Sequence, residues 1–261
     1  MELSHLETGT GQPLIFIHGI GLNAQSWHYQ LAEFGQQYGA IAIDLPGHGD
    51  SDPLPHTTIA GYAQALRDFI VESVEGQRAR PILVGHSLGG MIVQEYLAMW
   101  PGAVAAVVLY GTSPAFGPRE GAWQQHFVHS RLDPLDAGQT MRDLAPAMVH
   151  NMIGAAAHPA GVQLAIRCME RVTDETFRAG VLSLIDFDRR ANLSRIDVPT
   201  LLLVGSEDPN APPSMMEKMA GKIPGAIYSC LEGLGHLAHL ENPERFNQAL
   251  HEFLSQRAQS M

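Results

Sequence analysis

The stretch Gly85-His86-Ser87-Leu88-Gly89 constrains this chain more than any other. It follows the apolar run Pro81-Ile82-Leu83-Val84 and leads into Gly90-Met91-Ile92-Val93-Gln94-Glu95-Tyr96-Leu97. That pattern predicts a strand, a sharp turn and a helix, with a serine at the apex. Small residues two before and two after the serine let strand and helix approach closely. The hydroxyl is then lifted out of the sheet, and the helix N-terminus offers unpaired N–H groups to a developing negative charge. A bare Gly-x-Ser-x-Gly string also suits a tightly packed turn with no chemistry. The strand before it and the helix after it are what a nucleophile elbow requires.

The rest of the chain supplies a fold for that elbow. Leu14–Ile17 predicts a strand ending at His18-Gly19, and Gly39–Ile43 predicts another ending at Asp44-Leu45-Pro46-Gly47-His48-Gly49. Ile59, Tyr62, Ala63, Leu66, Phe69, Ile70 and Val74 fall at helical spacing. Further strands are expected at Val104–Tyr110, Thr200–Val204 and Ala226–Leu231, and a closing helix runs from Pro243 to about Gln256. Fully apolar strands separated by helices indicate an α/β fold, a mostly parallel sheet covered on both faces. Sites in such sheets form beyond the carboxyl ends of the strands. His18, Asp44, Ser87, Thr112 and Asp208 all lie just past predicted strand ends, so one rule gathers them at one edge.

Between residues 116 and 190 the rhythm breaks. No convincing strand occurs there, while Met141, Leu144, Met148, Val149 and Met152, then Val162, Leu164, Ile166 and Met169, then Phe177, Val181, Leu182, Leu184 and Ile185 suit helices. A structureless loop of that length inside a compact domain is improbable. The segment reads as a helical cap inserted into a core made of residues 1–115 and 191–261. Its methionines suit plain packing between helices, or an adaptable apolar wall over a cavity.

Composition excludes several classes. The 261 residues, with 45% apolar content, suffice for one α/β domain with a full core. A net charge of −11 disfavours nucleic acid and anionic membrane surfaces as partners. Cys168 and Cys230 form no zinc or disulfide pattern, and each reads as a buried small apolar side chain. No signal peptide or bilayer-spanning run is expected, nor any metal or cofactor, so a cytoplasmic protein is the default.

A serine hydroxyl needs a base, and the base needs an orienting acid. In this kind of fold they follow in the order serine, acid, histidine. Val204-Gly205-Ser206-Glu207-Asp208-Pro209 offers Asp208 just past a strand, with Glu207 as the rival carboxylate. The alternative position after Tyr110 holds Gly111-Thr112-Ser113 and no acid. His236, on the Gly-flanked loop Gly233-Leu234-Gly235-His236, is the expected base, and His239 is its competitor. His86, His18 and His48 read as structural. The oxyanion hole is assigned to the backbone N–H groups of Leu88, directly after the nucleophile, and Ile20, in His18-Gly19-Ile20-Gly21.

These pieces together resemble the α/β-hydrolase superfamily over essentially the whole length. The resemblance also covers Asp44-Leu45-Pro46-Gly47-His48-Gly49-Asp50-Ser51 and Glu241-Asn242-Pro243-Glu244-Arg245-Phe246 after Gly235-His236. With Asn23, Trp27 and Phe187-Asp188, the chain looks most like the 3-oxoadipate enol-lactonase and carboxylesterase branch. The family opens with two strands before the oxyanion loop. The few residues ahead of Leu14 leave the first of these open.

The resemblance implies a hydrolase of a small-molecule ester or lactone, working through Ser87, His236 and Asp208 and an acyl-enzyme. A carbon–carbon bond hydrolase of ring-cleavage products keeps the same triad, although Leu22-Asn23 stands where those relatives show Pro-Gly. A signal-binding protein of the same fold is the alternative from another class. Trp123, His126, Phe127, Met148, Met152 and Phe187 are the candidate pocket residues. Neither Arg119 nor Arg131 is evidently placed for a carboxylate-bearing substrate. The oligomeric state is not readable.

Overall fold

Alternate residues of the buried strands feed two separate cores. In this computed structural model, which describes residues 2–73, 79–117 and 122–259, the strands are β1 (His5–Thr8), β2 (Pro13–Ile17), β3 (Gly39–Ile43), β4 (Ile82–His86), β5 (Ala106–Tyr110), β6 (Thr200–Gly205) and β7 (Ile227–Leu231). Ile15, Ile17, Leu83, Val107 and Leu109 join one apolar cluster, and Leu14, Phe16, Val84, Ala106 and Val108 join another. The two-residue period of a strand sends neighbours to opposite faces. Unbroken apolar runs therefore mean that both faces are covered.

The helices are α1 (His28–Phe34), α2 (Ile59–Ser73), α3 (Leu88–Met99), α4 (Ala122–Asp136), α5 (Met141–His150), α6 (Pro159–Glu170), α7 (Asp174–Ser183), α8 (Pro213–Ala220), the single turn α9 (Ala238–Glu241) and α10 (Pro243–Gln259). Buried residues of α2, α3 and α8 belong to the first cluster, and those of α1 and α10 to the second. Val74, at the end of the predicted second helix, and Arg119 lie outside the described residues.

The sheet order is β1-β3-β2-β4-β5-β6-β7. β1 runs antiparallel to β3, and every other pairing is parallel. Two strands, β1 and β2, thus precede the loop that starts at His18. The strand left open by the sequence is present as the four residues of β1. After β2 the chain winds to one side to make β3, and then returns to the other side to make β4. The reversal opens a crevice at the carboxyl ends of β2 and β4, where the sequence places Gly19-Ile20 and Ser87.

Helices α4 to α7 stand between β5 and β6 and form a third apolar cluster, joined to the sheet region through Leu22, Leu237 and Leu240. β7 is an edge strand with one buried residue, Leu231. Cys230 on it is exposed, contrary to the expectation of burial, whereas Cys168 on α6 is buried. An edge strand has covered neighbours on fewer sides, so its apolar pattern overstates its burial. Among the described residues, no helix is long and apolar enough to cross a membrane.

Candidate active site

Ser87 sits at the end of the middle strand with φ 52° and ψ −113°. Among the described residues, no other non-glycine has a positive φ. Such a conformation costs on the order of 1–3 kcal/mol and persists only where its surroundings impose it. Here the Ser87 N–H donates to the Tyr110 carbonyl at 2.9 Å, and the Ser87 carbonyl accepts from Thr112 Oγ1 at 2.7 Å. The flanking glycines are needed for space. A Cβ on Gly85 would lie 2.5 Å from the Gly89 carbonyl oxygen, and one on Gly90 would lie 2.6 Å from Thr112 Cβ.

His236 Nδ1 and Asp208 Oδ2 are 2.7 Å apart, and both side chains are buried. Asp208 Oδ1 accepts the backbone N–H groups of Asn210 at 2.8 Å and Ala211 at 2.9 Å. The carboxylate is therefore an acceptor on every side, and Nδ1 must carry the proton it donates. That leaves Nε2 of a neutral imidazole free to take a proton. Glu207, the rival acid, turns away and accepts the Ala155 N–H at 2.9 Å. His239, the rival base, is buried beside Trp27 and pairs with the Tyr110 hydroxyl at 3.2 Å; burial pushes its pKa down to about 3.

The loop that carries His236 is gripped by a residue whose role sequence reasoning missed. Glu241 Oε2 accepts the N–H groups of Gly235 and Gly154, each at 2.8 Å, and Oε1 accepts that of Leu237 at 2.9 Å. One buried carboxylate thus holds the residues on both sides of His236 and ties them to the loop between α5 and α6. Burial raises the Glu241 pKa, and the three N–H donors oppose that rise. Its position a short, fixed distance after the histidine was the available signal. The His236 carbonyl is held by the Tyr110 hydroxyl at 2.7 Å and by His86 Nε2 at 2.9 Å. His86 therefore donates from Nε2 and stacks on Tyr110, as a packing residue would.

The loop after β2 is shaped from below. Asp44 Oδ1 accepts the Ala24 N–H at 2.7 Å. His18 accepts the Leu45 N–H on Nε2 at 3.0 Å and donates from Nδ1 to the Gly19 carbonyl at 2.8 Å. Burial pushes the His18 pKa to about 4 and the His48 pKa to about 3, so both rings are neutral, and His18 bridges the two loops. Among the described residues, no acceptor takes the backbone N–H of Ile20 or of Leu88. Both residues border the same cavity as Ser87 and His236.

That cavity measures about 340 Å³. Trp123, Phe127, Met148 and Met152 line it, as the sequence suggests. Phe187 does not. It is buried in the cluster around Phe116 and Leu184, where the chain returns to the sheet and its backbone bonds to Phe116 and Leu184. His126 is also absent from the wall. Arg131, which sequence reasoning could not place, is on it. On α4, Trp123, Phe127, Arg131 and Pro134 share one face at helical spacing, a signal that would have singled out Arg131. Among the described residues, no group of three His, Cys, Asp or Glu side chains could hold a metal ion.

Chemically, a strained serine, an imidazole oriented by a buried carboxylate and two unclaimed N–H groups border one cavity. These are the parts that covalent acyl transfer uses. The Alpha/beta hydrolase family model matches residues 14–249, and the chain belongs to that family. It is 30% identical over 263 residues to (E)-2-((N-methylformamido)methylene)succinate hydrolase of Acinetobacter baylyi, covering 96% of this chain and 93% of that protein. It is similar to a thermophilic esterase from Thermogutta terrifontis solved with malate bound, with a TM-score of 0.88, 25% identity and coverage of 98% and 93%. The enol-lactonase from Burkholderia xenovorans shares the fold, with a TM-score of 0.82 at 22% identity over 97% of this chain and 96% of that one.

Proposed function

We propose that this hydrolase cleaves a carboxylic ester or lactone, with Ser87 as nucleophile, His236 as base and Asp208 as its orienting acid. The observation that carries the reading is the 2.7 Å pairing of buried His236 with Asp208 on the wall of the cavity that contains Ser87. The likeness to an esterase at 25% identity supports the same reaction class.

In this reading the Ser87 Oγ attacks the substrate carbonyl carbon while His236 Nε2 takes the hydroxyl proton. The carbonyl oxygen becomes an oxyanion and receives hydrogen bonds from the Ile20 and Leu88 N–H groups. The tetrahedral species collapses, the bond to the leaving oxygen breaks, and that oxygen takes the proton from His236. Water then attacks the acyl-enzyme with His236 again as base, releasing the acid and regenerating Ser87. Residues 116–190 act as a cap that closes a small-molecule cavity over the core formed by residues 1–115 and 191–261. Two facts support that division: the third apolar cluster, and cavity walls drawn from both segments.

Hydrolysis of p-nitrophenyl acetate by the wild type and by Ser87→Ala tests the assignment. Loss of a triad nucleophile lowers kcat by roughly 10⁴-fold or more. A folded Ser87→Ala protein that keeps full turnover contradicts it.

A further inference from the structure

Arg131 stands out on the cavity wall for its chemistry. Histidines aside, it is the only ionisable side chain among the described lining residues, in a chain whose net charge is −11. It is half-buried, and burial pushes its pKa down to about 10, so it is still a cation at neutral pH. Every partner it has among the described residues is neutral. Nη1 donates to the Phe127 carbonyl at 3.3 Å and to Ser130 Oγ at 3.2 Å, and Nη2 donates to Asn210 Oδ1 at 3.4 Å. The guanidinium carbon lies 3.4 Å over the Phe127 ring.

Desolvating a charge without a counter-charge is costly. The neutral contacts are long for charge-assisted bonds, and none of them balances the charge. They do fix the guanidinium plane on the aromatic ring, which presents its remaining N–H groups in a set direction. Three other arginines pair with acids: Arg178 with Asp136, Arg189 with Glu95 and Arg190 with Asp188. Arg131 alone pairs this way with nothing described while facing a ligand cavity. A planar, pre-oriented guanidinium matches a carboxylate, which it can bind through two parallel hydrogen bonds.

Resting on the ester-hydrolase reading above, we propose that Arg131 is the specificity-determining residue for a substrate that carries a free carboxylate. The class is the half-ester of a dicarboxylic acid, with the ester carbonyl at Ser87 and the free carboxylate on the α4 wall. Asn210 and Ser130 orient the guanidinium, and the surrounding apolar wall takes the connecting methylenes.

The test compares mono-p-nitrophenyl glutarate with p-nitrophenyl pentanoate, which has the same five-carbon acyl chain but lacks the charge. The wild type is expected to prefer the half-ester in kcat/KM by roughly 10- to 100-fold, the range of one charge-assisted contact. Arg131→Gln, which keeps polarity and removes the charge, is expected to cut that preference at least tenfold, mainly through KM. Arg131→Lys is expected to keep part of it. A wild-type preference near one, or a preference unchanged in folded Arg131→Gln, overturns the proposal while leaving the hydrolase reading intact. If Arg131→Gln does not fold, the wild-type ratio and the lysine variant decide. Calorimetric titration of glutarate into wild type and Arg131→Lys gives a readout independent of turnover. Saturable binding weakened in the variant supports the site, and absence of binding to the wild type counts against it. Turnover of neither ester overturns the hydrolase reading, and this proposal with it.

Discussion

In the proposed mechanism the residues that hold His236 matter as much as His236 itself. Asp208 fixes the imidazole tautomer by accepting at Oδ2 while two N–H groups occupy Oδ1. Asp208→Asn keeps the shape but can present an amide N–H to Nδ1, favouring the wrong tautomer. It is expected to lower kcat by about 10⁴-fold with little loss of fold, and a steady-state assay with a circular-dichroism control checks this. Glu241 acts one step further out. In Glu241→Gln one of the three backbone N–H groups meets an NH₂ in place of an oxygen. Urea unfolding is expected to show a loss of about 1–3 kcal/mol, the cost of one buried donor left unpaired. A fall in kcat larger than any change in KM is expected alongside it. A variant equal to wild type in both would show that the loop holds His236 without this carboxylate.

Elements explain why parts of the site were legible in the sequence and others were not. The elbow was legible because its constraints are local: apolar strand, glycines at fixed offsets, then a helix. The Asp208 and His236 positions were legible because parallel strands must deliver their following loops to one edge. The cavity wall was only half legible. α5 announces its spacing, but which face of a helix looks inward depends on how it docks, and Phe187 lies beyond the end of α7, where the chain returning to the sheet buries it in the core. α1, α4 and α8 were not anticipated: α1 and α8 are short and bounded by loops, and α4 buries only Leu132 and Leu135 and carries no strong apolar stripe. The packing of α6 on α9 is testable at Gly161, where a Cβ would run into the Leu240 carbonyl. Gly161→Ala is expected to cost about 1–3 kcal/mol, seen as a lower urea midpoint. An unchanged midpoint would mean that α6 does not pack as tightly on α9 as described.

At the scale of the whole molecule, buried neutral histidines set an acid limit on stability. His18, His48 and His239 have pKa values pushed by burial to about 4, 3 and 3, and His86 is lowered well below its ordinary value. In the unfolded chain these groups take up protons near pH 6.5, whereas the folded chain does not. The unfolded state therefore binds more protons, and stability is lost as pH falls below about 6.5. Asp44 and Glu241, raised by burial, act with the opposite sign but from lower starting values and in smaller number. The urea midpoint is expected to drop steadily from pH 7 to pH 5; a flat profile would mean that these rings accept protons while folded.

In the proposed mechanism Ser87 is the nucleophile of a covalent reaction. Intact-mass analysis after exposure to a fluorophosphonate tests it most directly, because the reagent forms a stable adduct only with an activated serine. The wild type is expected to gain one adduct, mapped by peptide digestion to Ser87, and folded Ser87→Ala is expected to gain none. An unmodified wild type, or an adduct on any other residue, would contradict the account.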